Sequence, residues 1–273
     1  MTHHLGYIHG MNRLQRTAFW HQQAFSLVEL SIVLVILGLL TGGILGGQSL
    51  IRAAELRTVS ADYARFVTAT QTFRDKYFAL PGDMSNATSF WGAAHATPAT
   101  CVTTTTNDAR TCNGNGDGMI VPSTGSAEHT RYWQQLANAG LIEGTYTGIN
   151  SDTSNPSISP RVNAPAGRIS SSGWHAWYWG LQAGSASRFA LTYDNAYYFG
   201  SVPANSWPSG AIMKPEELWN IDTKMDDGKP AQGKVIAHLV STCTTTNDGN
   251  VLTADYLLSS TATGCGAIFR QLY

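Results

Sequence analysis

The 273-residue sequence predicts an α+β fold: one long N-terminal helix, membrane-spanning in its first half, laid against the antiparallel sheet of a globular head. Three observations carry this. Residues 25–51 hold a single charge, Glu29. An amphipathic stripe continues that run without a proline to residue 80. After Pro81-Gly82 the composition changes to Gly, Thr, Ser, Asn and aromatic residues, the usage of a β-rich domain with long polar loops.

The first 24 residues contain Arg13 and Arg16 and no acid. The run from Phe25 to Ile51 exceeds the ~20 residues that cross a bilayer as a helix. Its basic flank predicts a cytoplasmic N-terminus. An ordinary secretory signal peptide is the competing reading. The apolar stretch is long for one, Arg52 stands where small residues would be needed, and the helical pattern does not stop there. Leu56, Val59, Tyr63, Phe66, Thr70, Phe73 and Tyr77 recur at steps of three and four, with Arg57, Asp62, Arg65, Arg74 and Asp75 on other faces. A helix over 25–80 would be roughly 80 Å long at ~1.5 Å per residue. Its second half has a face for a head; a mere leader needs none. The domain reading is a basic leader over 1–24, the helix over 25–80 (apolar to 51, amphipathic over 52–80), and one head over 81–273.

Ala24-Phe25-Ser26-Leu27-Val28-Glu29-Leu30 and the apolar run behind it resemble the processing and methylation motif of type IV prepilins and type II secretion pseudopilins. The resemblance implies a pilin-like fold and cleavage between Ala24 and Phe25 by a prepilin peptidase. It also implies methylation of the new amine and assembly with identical or other pilin-like subunits through the long helices. The residue before the cut is usually Gly; here it is Ala24, the next smallest side chain. Phe25 and Glu29 are the expected assembly residues, a neighbour's Phe25 amine pairing with the Glu29 carboxylate. Snorkelling of Glu29 to the interface is the local alternative, since an ionisable group central in a span costs ~3 kcal/mol. Gly38, Gly42, Gly43, Gly46 and Gly47 read either as close helix packing in the membrane or as a stretch that unwinds on assembly. The implied location is the inner membrane for the precursor, with the head in the periplasm, and then a pilus on the cell surface or a periplasmic pseudopilus.

In the head, 129–139 and 215–225 read as short amphipathic helices, the second with Pro215 in its first turn. Strands are expected at 189–193, 196–202, 234–240 and 251–258. Trp174, Trp177, Tyr178 and Trp179 read as strand core on alternate sides, or as a surface that stacks on sugars or a partner. Cys101, Cys112, Cys243 and Cys265 allow three connectivities; nearest-neighbour pairing, which staples two Thr-rich loops, is the simplest. No Cys-x-x-Cys or His-x-x-x-His spacing supports zinc instead.

Asn113, Asn115 and Asp117, alternating with glycines, resemble the first half of an EF-hand loop and are candidate Ca2+ ligands. The twelfth position is Thr124 rather than Glu, with Glu128 a substitute if the loop is longer; a glycine-rich turn closed by a disulfide explains the same residues. A second acidic group, Asp222, Asp226 and Asp227 before Gly228, resembles a recurrent stretch in pilin-like heads; solvation of a helix C-terminus explains it equally well.

A net charge of −1 and 13% charged residues argue against a nucleic-acid partner. No Gly-x-Ser-x-Gly, His-Glu-x-x-His or P-loop sequence occurs, and no catalytic residue is expected. The function read from the sequence is therefore a structural subunit of a type IV pilus-like filament. A type II secretion pseudopilin is the near alternative, and a membrane-tethered enzyme or carbohydrate-binding module the alternative of another class. The stripe over 56–77 discriminates against the last, because a tether needs no amphipathic extension.

Overall fold

The computed structural model describes residues 26–104, 108–122, 127–150, 157–204 and 206–270. Helix α1 runs unbroken from Leu27 to Tyr77. The chain divides into two compact units, Met1–Ser49 and Leu50–Tyr273.

In the first unit the described residues are helical and carry apolar side chains on every face. Leu27, Leu39, Leu45 and their neighbours are all exposed. A helix apolar all round is stable only in lipid or among other helices. α1 is the one helix among the described residues that is long and apolar enough to span a membrane. The five glycines stay helical, and a Cβ added at any of them would meet nothing within 4 Å.

From Leu50 onward the stripe expected from the sequence is the face that packs. Val59, Phe66, Thr70 and Phe73 are buried, and Leu56, Tyr63 and Tyr77 are half-buried against the same core. Their partner is a four-stranded antiparallel sheet of β1 (Ser172–Tyr178), β2 (Asn195–Ser201), β3 (Val235–His238) and β4 (Gly266–Arg270), in the order β1-β2-β4-β3. Register pairs Trp174 with Phe199, Tyr197 with Phe269, and Ile236 with Ile268. The Phe66 ring sits 4.9 Å from Trp133, 5.4 Å from Trp174 and 5.9 Å from Tyr197, and Tyr63 stacks on Phe269 at 4.9 Å. Three buried hydroxyls, Thr70, Tyr132 and Tyr197, satisfy one another where helix and sheet meet.

Two further helices flank the sheet, α2 (Glu128–Asn138) and α3 (Pro215–Met225), close to the ranges the sequence predicts. One-turn helices occur at Thr88–Trp91, Pro98–Cys101 and Val240–Cys243.

The strand expectations divide. Residues 196–202 overlap β2 with a one-residue offset, and 234–240 contain β3. The aromatic run lies on β1 and just beyond it. Trp174 faces α1, whereas Trp177 packs on the opposite side with Trp179 and Trp207. Residues 189–193 do not form a strand: the segment bends at Ala190 and Leu191, Phe189 and Tyr193 are buried, and the Tyr193 hydroxyl donates to the Phe189 carbonyl at 3.0 Å. Residues 251–258 instead form turns held by a single bridge, Thr244 to Tyr256. β4 escapes the alternation test because both its faces are covered: Ala267, Ile268 and Phe269 are all buried.

Candidate functional site

Ala24 and Phe25 lie outside the described residues. Just after them, Ser26 and Glu29 hold each other: the Ser26 amide donates to Glu29 Oε2 at 2.9 Å, and the Glu29 amide donates to Ser26 Oγ at 3.2 Å. This is a reciprocal capping box, and it gives Glu29 a local role that its place in the motif did not suggest. Ser-x-x-Glu before an apolar run was the sequence signal for it. The Glu29 side chain is exposed among the described residues.

At the head end of the amphipathic stretch, Arg52 binds Glu217 with two hydrogen bonds, Nε to Oε1 and Nη2 to Oε2, both 2.7 Å. Arg52 Nη2 also donates to the Ile212 carbonyl at 2.9 Å. Glu217 in turn accepts the Lys214 amide at 2.8 Å, closing the first turn of α3. The Arg52 guanidinium lowers the Glu217 carboxyl against the upward push of burial. A planar fork gripping a carboxylate fixes direction as well as distance. Sequence reasoning did not find this pair, which lies 165 residues apart.

The cysteines are joined nearest-neighbour fashion, Cys101 to Cys112 and Cys243 to Cys265, with Cα atoms 5.9 and 4.9 Å apart. The first bridge is seated on α2. Buried Arg131 donates from Nη2 to the Cys101 carbonyl at 2.9 Å and from Nη1 to Gln134 Oε1 at 2.8 Å. Gln135 donates to the Cys112 carbonyl at 3.1 Å and accepts the Gly82 amide at 2.6 Å. The second bridge ties the one-turn helix at Val240–Cys243 to the residue preceding β4.

The Asn/Gly/Asp loop wraps two carboxylates. Asp83 Oδ1 accepts the amides of Gly116 at 2.7 Å and Asp117 at 3.1 Å, and Oδ2 accepts that of Gly118 at 2.9 Å. Glu128 accepts the amides of Asn115 at 3.3 Å and Val121 at 3.0 Å. Gly114 must be glycine here, because a Cβ would collide with the Asp83 backbone. Burial pushes the Asp83 carboxyl up, against the pull of the loop amides. Burial also lifts Glu128 to about 7, with the charges of Asp83 and Asp117 adding to it.

The three expected calcium ligands face outward partners. Asn113 Oδ1 accepts the Thr88 amide at 2.8 Å, Asn115 Oδ1 that of Asp117 at 3.0 Å, and Asp117 Oδ1 that of Met119 at 2.8 Å. As folded, the loop turns its N–H donors inward onto the carboxylates of Asp83 and Glu128. Asp83 is the residue the sequence reading missed: it stands 33 residues before Gly116, and its only local signal is the Pro81-Gly82-Asp83 turn that ends α1.

Residues 21–45 match the prokaryotic N-terminal methylation motif. No curated protein and no solved structure matches the chain. With the motif over residues 21–45, one long apolar-then-amphipathic helix behind it and a four-stranded antiparallel sheet in the head, the chain carries the signature of type IV prepilins and pseudopilins on an α+β, pilin-like fold.

Proposed function

We propose that the protein is a structural subunit of a type IV pilus-like filament, cut before Phe25 by a prepilin peptidase and assembled side by side with other such subunits through the first half of α1. The observation that carries this reading is the division of one helix into two surfaces. Residues 27–51 are almost all exposed and apolar, while the 56–77 stripe is consumed by the head. Exposed apolar area stabilises a contact by ~25 cal/mol per Å² once covered, so such a surface requires lipid before assembly and neighbouring helices after it. An enzyme tethered to a membrane needs the first surface only.

Surface filaments should be visible by electron microscopy in cells expressing the wild-type gene and missing from a deletion strain, with secretion of exported proteins unchanged. Intact filaments in the deletion strain, together with lost secretion, would instead assign the subunit to a secretion pseudopilus.

A further inference from the structure

A groove between α1 and α3 opens where the exposed apolar surface of α1 stops. Leu50 and Ile51 are 73% and 64% exposed, and beyond them no large apolar side chain of α1 is exposed among the described residues. The walls are Ala53, Leu56 and Arg57 on α1 and Glu217, Ile221 and Lys224 on α3, around a volume of about 260 Å³. The bidentate Arg52–Glu217 pair pins the two helices together and neutralises the acid of the lining. Glu55, the next acid along α1, is bound to Arg52 as well.

The two remaining charges of the groove are both positive. Arg57 and Lys224 are exposed, and neither has an ion-pair partner among the described residues. Between them lies an apolar floor of half-buried Leu56 and buried Ile221. The height of the groove is fixed by helix geometry. Arg57 lies six residues beyond Ile51, roughly 9 Å along the axis. The polar headgroup layer of a bilayer takes up roughly 5–8 Å outside the hydrocarbon on each side. Long basic side chains keep their charged ends in that layer while their stems lie on apolar surface. The groove is smaller than the ~300–1,000 Å³ of sites for drug-sized molecules, a size for a headgroup and not for a whole ligand.

We propose that this groove holds the phosphate of an anionic phospholipid between Arg57 and Lys224 while the chain is in the membrane, clipping the base of the head to the bilayer surface. The inference rests on the reading of residues 27–51 as a membrane span. Two unpaired cations favour a headgroup with net negative charge, because a zwitterionic one brings its own ammonium to the same place. Free phosphate lacks the acyl chains that lie beside Ile51 and is held far more weakly.

The test uses the full chain in uncharged dodecyl maltoside micelles, with bound lipid counted by native mass spectrometry. Phosphatidylglycerol should bind at least about tenfold more tightly than phosphatidylcholine, at one site per chain. Arg57→Gln with Lys224→Gln should reduce that preference to about twofold or less, while Arg57→Lys keeps it. Arg161→Gln with Lys234→Gln removes the same charge at exposed positions outside the groove and should also keep it. All these side chains are exposed, so melting temperatures should stay within ~2 °C of wild type. Inorganic phosphate should not displace the lipid. The proposal is overturned if wild type shows no preference, if both double variants lose it equally, or if inorganic phosphate displaces the lipid. Reconstitution of the wild-type chain into phosphatidylcholine vesicles separates the two readings. Insertion without a phosphatidylglycerol preference overturns the groove alone; failure to insert overturns the span and the groove with it.

Discussion

A Glu29→Ala chain is expected to insert, to be cleaved and to fold its head, and yet to be lost from the filament fraction. Insertion survives because removing a charge makes the span more apolar. Cleavage creates an amine at Phe25 with a reference pKa near ~8, mostly cationic at neutral pH. Between packed helices, where the local dielectric is low, an unpaired carboxylate is strongly disfavoured, so in the proposed filament a neighbour's amine would fix axial register. The capping box supplies the competing explanation, because Glu29 also satisfies the Ser26 amide. Loss of a cap costs about 1 kcal/mol, small for a helix of 51 residues. Glu29→Gln separates the two: glutamine keeps the box but not the charge. Both variants should therefore fall out of the sheared filament fraction while remaining at wild-type levels in the membrane. Normal incorporation of Glu29→Gln would assign the residue to capping alone.

Phe66→Ala is expected to be the most damaging single substitution on the buried face of α1. The ring is 1% exposed and has Trp133, Trp174 and Tyr197 around it, so its removal leaves a void that three large rigid neighbours cannot fill. Truncations of this kind cost ~3–5 kcal/mol. Set against the ~5–15 kcal/mol that holds a typical domain folded, that is a large share. For a unit of this size the melting temperature should fall by roughly 6–20 °C. Thr68→Ala, two residues away on the exposed face, should change stability by less than ~0.5 kcal/mol. Circular dichroism melts of the two variants decide the point. A Phe66→Ala head melting within about 2 °C of wild type would mean that this face of α1 does not anchor the sheet.

What could be read in advance follows from the range of the interactions. The α1 stripe, α2 and α3 are written in local periodicity, and β2 and β3 in strand-forming composition, and each was legible. β4 was not, because Ala267-Ile268-Phe269 is a short apolar run without alternation. Residues 189–193 and 251–258 have strand-like composition, but they form bends, turns and isolated bridges instead of a ladder, and Val251 and Leu258 stay exposed. The Asn/Gly/Asp loop was recognised as a turn with oxygen ligands, yet the carboxylates that organise it are Asp83 and Glu128. That arrangement depends on how α1 ends and α2 begins. Arg52 and Glu217 meet only through the topology of the whole head. Local chemistry is visible in a sequence; pairings across 33 or 165 residues are not.

The central claim is that this chain is a prepilin, and the mass of the mature protein tests it most directly. Protein extracted from membranes of a host with its prepilin peptidase should give an intact mass that begins at Phe25 and carries one added methyl group. The same host lacking the peptidase should yield the full precursor with its basic leader. A mature species beginning after Ala53, or an uncleaved chain in both hosts, would contradict the account.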